Sequence, residues 1–309
     1  MTMPNFLIIG APKSGTTSLY EYLKQHPQIF FPEKKEPHFF SFEGRTQGFN
    51  GPSQANFMKK RITKIEDYKK LFEEVNDELA IGEASTSYLY IPEAVERIKK
   101  YVPEVKIIAI LRHPADRAFS DYLQHWKDGG EVFLDFADAL KQEEKRLSQG
   151  WSPFWQYKGI GFYYVHLKRY FEIFSPDQIR IYLYEDIRDE PLKTVQDIFK
   201  FLNVDNNFTP DFSQKYNVSK LKRMPRNTKL HNFLTQENPI KSFFKVLFPM
   251  ELRKIITGYI KKKNTVQVSE SFKPSLLPQV RQQLLEEYRE DILNLQSLID
   301  RDLSAWLKY

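Results

Sequence analysis

Apolar residues along this chain fall into two alternating rhythms, and the alternation sets the fold class. Short apolar runs occupy residues 5–10 (NFLIIG), 80–83 (AIGE), 105–111 (VKIIAIL) and 178–185 (QIRIYLYE). Runs of this length, nearly continuous in apolar side chains and bounded by turn residues, predict strands of a parallel sheet buried on both faces. QIFF at 28–31 predicts a further short strand. Between these runs the spacing changes to three and four. From Gly15 to about Gln25 it puts Leu19, Tyr22 and Leu23 on one helical face, and Asp67–Val75 also reads as a helix. Pro92 and Pro114 stand where proline suits a first helical turn, opening predicted helices that run to about Tyr101 and Trp126. Further helices are predicted over about 134–147, 161–173, Pro191–Leu202 and Leu276–Leu307. Strands alternating with helices predict an α/β fold, a three-layer sandwich around a central, mostly parallel sheet.

Beyond Asn217 the rhythm breaks. Pro225, Pro239 and Pro249 interrupt the stretch to Lys263, and no further strand is predicted there. Residues 216–263 hold nine Lys and three Arg against Glu237 and Glu251, a net of +10 in a chain of net +6, so the remainder carries −4. The basic character therefore belongs to one helical insertion, about 218–264. It interrupts a single domain spanning 1–309, whose core is 4–217 and 265–309. Apolar residues such as Phe243, Phe244 and Leu247 lie among these cations. Three expectations follow for 219–263, in order: a lid over a cleft, contact with a membrane surface, and contact with a polyanion. No recognised nucleic-acid module accompanies the charge, so nucleic acid is not an expected partner.

Composition narrows the function classes. Hydrophobic residues make up 41% and charged residues 28%, which excludes a disordered chain, a collagen-like chain and a coiled coil. Cysteine is absent, which excludes disulfides, thiolate metal sites and a thiol nucleophile. There is no run of about eighteen apolar residues and no basic n-region before the first apolar stretch, so the expectation is a soluble, cytoplasmic protein.

Two motifs carry chemistry. GAPKSGTTSL (Gly10–Leu19) joins the first strand to the first helix, where backbone N–H groups and the helix N-terminus make an anion site. Gly10 and Gly15 have the spacing of the nucleotide-binding pattern G-x-x-x-x-G-K-[ST], but Thr16 occupies the lysine position and the lysine lies inside the loop as Lys13. An ordinary kinase or ATPase needs that lysine directly after Gly15. Lys13 supplies a point charge for a phosphate, with Ser14, Thr16 and Thr17 as hydroxyl donors. The second motif is LRHPADRAFSDY. Arg112 follows the central strand, Ser120 lies two turns along the next helix, and ligands of open α/β sheets sit at the carboxyl ends of strands. Arginine there suits bidentate capture of a phosphate.

On these motifs the chain resembles the PAPS-dependent sulfotransferase superfamily, most closely its heparan-sulfate-type and bacterial branch. The resemblance covers residues 4–217 and about 265–309. It implies a P-loop-like α/β fold and 3′-phosphoadenosine 5′-phosphosulfate (PAPS) as donor. It also implies adenosine 3′,5′-bisphosphate as product, no metal and a bacterial source. Lys13, Ser14, Gly15, Thr16, Thr17 and Ser18 correspond to the family's 5′-phosphosulfate loop, and Arg112 with Ser120 to its 3′-phosphate motif. Lys13 then has a second role, meeting negative charge on the leaving oxygen. The segment PEKKEPHFF resembles the branch's K-E-x-H-F-F segment, whose glutamate is the base. That makes Glu36 the candidate base and Lys35 a substrate or donor contact. His38 is the rival, because histidine is the base in the cytosolic small-molecule branch. GEASTSY (Gly82–Tyr88) resembles a segment in which heparan-type relatives place a lysine where Ala84 stands. Glu83, Ser85 and Tyr88 are expected to line the acceptor cleft. Lys273, in SESFKPS, is a candidate for closing on the 3′-phosphate, with Arg223 and Arg226 as competitors. Gly161 and Tyr163 resemble a G-x-Y feature, with Tyr163 read as structural. The expected acceptor is a hydroxyl or amine on a carbohydrate, lipid or small metabolite. Two other classes stand beside this one. A nucleotide-dependent kinase is opposed by Thr16, and a non-catalytic anion- or membrane-binding module is opposed by Lys13 together with Glu36.

Overall fold

The protein is described here by a computed structural model. Residues 2–51, 58, 61–214, 263 and 275–308 are described with side chains, and 223–225 and 265–267 by backbone alone. The five core strands are β1 (Phe6–Gly10), β2 (Ile29–Phe30), β3 (Ala80–Ala84), β4 (Lys106–Leu111) and β5 (Ile179–Leu183). The first helices are α1 (Thr16–Leu23), α2 (Phe39–Phe42), α3 (Ile65–Lys69), α4 (Pro92–Tyr101) and α5 (Pro114–Lys127). They are followed by α6 (Phe136–Lys141), α7 (Glu143–Ser148), α8 (Tyr163–Ile173), α9 (Tyr184–Asp189), α10 (Pro191–Leu202) and α11 (Pro278–Ile299).

The strands form one sheet in the order β2-β3-β1-β4-β5, with every neighbouring pair parallel. Alternate residues of β1 and β4 feed two separate apolar layers, which explains why their sequences are apolar without interruption. Leu7, Ile9, Ile107 and Ala109 pack with Ile98 of α4, Leu167 of α8 and Leu284 of α11. Phe6, Ile8, Ile108 and Ile110 pack with Leu19 of α1 and Val195 and Ile198 of α10. At Gly82, in β3, an added Cβ would stand 2.3 Å from Phe6 and 2.5 Å from Phe31, so those two rings occupy the place a side chain would take. No described helix is long and apolar enough to cross a membrane.

Parallel strands put their carboxyl ends on one edge, and a crevice opens there beside a strand whose neighbours lead away in opposite directions. Here that strand is β1, between β3 and β4. Lys13 follows β1, Glu36 follows β2, residues 83–88 end and follow β3, and Arg112 follows β4. One sheet edge thus collects segments that are far apart in sequence.

α11 fastens the back of this edge. Asp291 accepts hydrogen bonds from the N–H groups of Tyr164 (3.0 Å) and Val165 (3.3 Å) at the start of α8. The Tyr288 hydroxyl donates to the Lys158 carbonyl at 2.9 Å. Arg281 pairs with Asp116 and stands 3.2 Å from His113 Nε2 at the start of α5.

The structure differs from the sequence expectation at several boundaries. The strand expected over 178–185 stops at Leu183, because the Asp186 side chain accepts the Leu183 N–H at 2.8 Å and starts α9. The helix expected over 134–147 is two, α6 and α7. Glu143 turns inward there to accept from the N–H groups of Lys158 (2.8 Å) and Gly159 (2.7 Å). The helix expected to Leu307 ends at Ile299, with Asp300 in left-handed backbone (φ 49°). Strands also occur where none was expected. β6 (Arg223–Pro225) and β7 (Thr265–Gln267) pair antiparallel, and three residues are too few for alternation to register. The rest of the basic segment, apart from Lys263, lies outside the described residues, as do Lys273 and Arg226.

Candidate functional site

The loop after β1 is held open by backbone geometry. Lys13 (φ 67°) and Gly15 (φ 94°) both adopt left-handed conformations, and Gly15 precedes α1 without a side-chain cap. A Cβ at Gly15 would press on the Tyr184 ring at 3.3 Å. The first-turn N–H groups of α1, at Thr16, Thr17 and Ser18, have no intrahelical partner by construction, and no acidic side chain lies in that turn. The Ser14 hydroxyl is buried beside the Tyr163 hydroxyl. Lys13 Nζ reaches Gln124 Oε1 at 3.4 Å, and burial lowers its pKa, opposed by Asp121 and Asp128. Arg112 donates to the Lys13 carbonyl at 3.2 Å and lies over the Tyr184 ring at 4.9 Å. The Tyr163 hydroxyl donates to the Arg112 carbonyl at 2.8 Å, fixing the backbone behind that guanidinium. Ser120 is nearly buried on α5. Neither Lys13 nor Arg112 has an ion-pair partner among the described residues.

The segment after β2 also carries strained backbone, with Glu36 and His38 both at φ 56°. Such values are uncommon outside glycine and persist only where surrounding contacts enforce them. The enforcing contacts come from residues 85–88, one hydrogen bond apiece. Ser85 Oγ accepts the His38 N–H (2.9 Å), Thr86 Oγ1 donates to Glu36 Oε1 (3.4 Å), Ser87 Oγ meets His38 Nδ1 (2.6 Å), and the Tyr88 hydroxyl accepts the Phe40 N–H (3.4 Å). Glu36 and His38 then face each other, Oε2 to Nε2, at 3.5 Å. About a third of the Glu36 side chain is exposed, whereas the His38 ring is wholly buried. Burial opposes ionisation of Glu36, but its contact with His38 and the charges of Lys35 and Arg61 win, bringing its pKa down to about 2. Burial pushes His38 down to about 4, so its ring is neutral at pH 7. Lys35 joins the two halves of the site. Its Nζ donates to Thr17 Oγ1 at 3.2 Å and stands 3.6 Å from Glu36 Oε1.

Glu83, Ser85 and Tyr88 do not take the places expected of cleft-lining residues. All three are fully buried, and they are spent on holding the Glu36 segment. Glu83 Oε2 accepts from the hydroxyls of Tyr88 (2.6 Å) and Tyr68 (3.2 Å). Burial raises its carboxyl to about 7 from an ordinary 4.5, although hydrogen bonds from Ser85, Tyr88 and Tyr68 favour the anion. Between those two values the folded protein keeps a proton that the unfolded chain has released, so stability falls as pH rises through the window. Glu83→Gln keeps the acceptor oxygen and removes the titration. Its melting temperature is expected to fall less than that of the wild type between pH 5 and pH 8. Asp291, raised by burial to about 6, remains in both proteins and contributes the same to each. An equal fall in both would show that Glu83 does not titrate in this window.

Sequence reading missed Thr86, Ser87, Gln124, Arg61 and Tyr184. The first two belong to the GEASTSY motif and Gln124 lies one turn beyond Ser120, so their positions were within reach of the motifs. Arg61, which donates to the Glu36 carbonyl at 3.1 Å, gave no signal.

Residues 3–246 match the sequence profile described as the sulfotransferase domain. The chain is 32% identical over 218 residues to the mouse bifunctional heparan sulfate N-deacetylase/N-sulfotransferase 4, covering 65% of this chain and 22% of that protein. It is 27% identical over 252 residues to mouse carbohydrate sulfotransferase 15, covering 65% of this chain and 44% of that protein. The chain therefore spans less than half the length of these curated relatives. The crystal structure of a sulfotransferase from Alicyclobacillus acidocaldarius superposes with a TM-score of 0.76 at 32% identity, covering 100% of both chains. A matched profile over most of the chain, and a solved relative similar from end to end, establish that this chain belongs to the sulfotransferase domain family.

Proposed function

We propose that this chain transfers a sulfuryl group from PAPS to a hydroxyl or amine of a carbohydrate or small-molecule acceptor. The observation that carries the reading is an anion loop whose cations, Lys13 and Arg112, make no ion pair among the described residues, joined through Lys35 to an ionised and solvent-reachable carboxylate. The loop fits a donor that carries phosphates. Lys13 and Arg112 have no ion-pair partner among the described residues, and α1 opens with no acidic side chain to repel an anion. Lys13, Ser14, Gly15, Thr16, Thr17 and Ser18 would hold the 5′ end, and Arg112 with Ser120 the 3′-phosphate. When bound, PAPS supplies the sulfuryl group and a bisphosphate leaving group.

The chain's own residues divide the remaining work. Glu36 takes the proton from the acceptor hydroxyl or amine, as an anion at every pH near neutrality. His38 is sealed from the acceptor by burial and acts on Glu36 instead. Lys13 neutralises charge that collects on the departing phosphate, in a partly desolvated position where such a charge counts for more than in water. The relatives' names point to heparan sulfate and other carbohydrates as the first acceptors to try.

Calorimetric titration of adenosine 3′,5′-bisphosphate tests the donor half directly. Micromolar binding is expected for the wild type, weakened about 10–100-fold in Arg112→Ala, as befits loss of charged hydrogen bonds. ATP with magnesium is expected to bind more weakly. A folded wild type that fails to bind the bisphosphate would overturn the reading.

A further inference from the structure

We infer that Ser87 is a positioning residue that fixes the tautomer of His38, so that a ring N–H, and not a lone pair, faces the carboxylate of Glu36. The inference deepens the proposed reaction and rests on Glu36 being its base. It is carried by the direction of one short chain of hydrogen bonds. Ser41 Oγ lies 2.7 Å from Ser87 Oγ, and Ser87 Oγ lies 2.6 Å from His38 Nδ1. A neutral imidazole has one donor and one acceptor nitrogen, and a hydroxyl has a single proton to give. The chain can therefore run in only two directions. In one, Ser41 donates to Ser87, Ser87 donates to Nδ1, and Nε2 carries the proton toward Glu36 Oε2. In the other, Nδ1 donates to Ser87, and an unprotonated Nε2 faces a carboxylate 3.5 Å away with no hydrogen-bond partner of its own. Two sets of lone pairs in a buried site repel. The first direction satisfies Nδ1 and turns an N–H, and not a lone pair, toward the carboxylate oxygen 3.5 Å away.

The rest of the clamp holds the ring for this purpose. Ser85 binds the His38 backbone N–H, and Arg97 donates to the carbonyls of Phe40 (2.9 Å) and Ser41 (3.1 Å), which steadies the start of the chain. The ring is also packed edge-on against Phe154, with centroids 5.4 Å apart. His38 cannot rotate to offer its other edge without breaking these contacts. Ser87 is buried, as are Ser41 and His38 on either side of it, so its effect on the reaction passes through His38 to Glu36.

The test reads the imidazole itself. Nitrogen-15 NMR of the labelled full chain, with His38→Asn identifying the His38 signals among those of six histidines, reports which ring nitrogen carries the proton. The wild type is expected to show the Nε2–H tautomer. Ser87→Ala is expected to show a tautomer mixture, with kcat for sulfuryl transfer reduced about tenfold or more and KM for PAPS unchanged. Ser87→Thr, which keeps the hydroxyl, is expected to restore the single tautomer and most of kcat. A wild-type Nδ1–H tautomer overturns the proposal without any variant needing to fold. An unchanged tautomer and kcat in Ser87→Ala overturns it as well. Because the tautomer is read without turnover, an Nε2–H ring in a protein that transfers no sulfuryl group would count against the proposed reaction and leave the role of Ser87 standing.

Discussion

Replacing Glu36 with glutamine is expected to lower kcat about 10²–10⁴-fold while leaving the affinity for adenosine 3′,5′-bisphosphate unchanged. The substitution is nearly isosteric. Its one oxygen can face His38 Nε2 and its NH2 group can donate to the Thr86 hydroxyl, so the strained turn at φ 56° keeps partners on both sides. What it removes is an acceptor of protons. A carboxyl held near 2 stays ionised across the whole range in which the protein is folded and assayed. The acid limb of kcat/KM, which reports the free enzyme, is therefore expected to show no inflection from this group above about pH 3. A base of such low affinity needs its hold by cations relaxed before it takes a proton readily. Lys35 is one such cation, 3.6 Å from Glu36 Oε1, and it also donates to Thr17 Oγ1 of the anion loop. Single-turnover sulfuryl transfer alongside the bisphosphate titration checks both halves. Retention of kcat in Glu36→Gln would remove Glu36 from the role of base.

Lys13→Ala is expected to be the other severe variant, losing about a hundredfold or more in kcat and weakening the bisphosphate as well. Among the described residues its ammonium reaches Gln124, a neutral partner, and burial favours its uncharged form. Such a site holds a cation at an energetic disadvantage that an incoming phosphate relieves. Binding and turnover are thus expected to fall together, in contrast to Glu36→Gln, where turnover falls alone. The melting temperature of the ligand-free variant is expected to stay at or above the wild-type value. A variant that binds and turns over normally would show that the positive end of α1 and Arg112 suffice.

Much of this arrangement was legible before any coordinates, and the reason is locality. The glycine loop, the strand of Ile107 to Leu111 and the Pro114 helix start are each specified by residues within a few positions of one another. The Glu36 segment could be singled out only by resemblance, since nothing in KKEPHFF states what the glutamate will face. The STSY run misled for a physical reason. Ser85 and Tyr88 were expected to line the acceptor cleft, yet Ser85, Ser87 and Tyr88 are buried because their partners lie 46–49 residues back in the chain, at His38, Phe40 and Ser41. Hydroxyl groups carry no periodicity that reports a distant acceptor. The strand end at Leu183 and the helix break at Gln142 were invisible for the same cause, each depending on where one carboxylate, Asp186 or Glu143, finds its N–H donors.

Lys13, Glu36 and His38 share one feature that bears on how this enzyme could be improved or lost. Each is an L-residue in left-handed backbone, a conformation that disfavours any side chain by about 1–2 kcal/mol and that glycine adopts freely. A screen that rewards heat tolerance alone would therefore favour glycine at positions 13 and 36, where no buried ring is lost, and every such winner would shed an ammonium or a carboxylate. Robust but inert proteins are the natural product of that selection, and a library meant to harden this scaffold has to hold those two codons fixed.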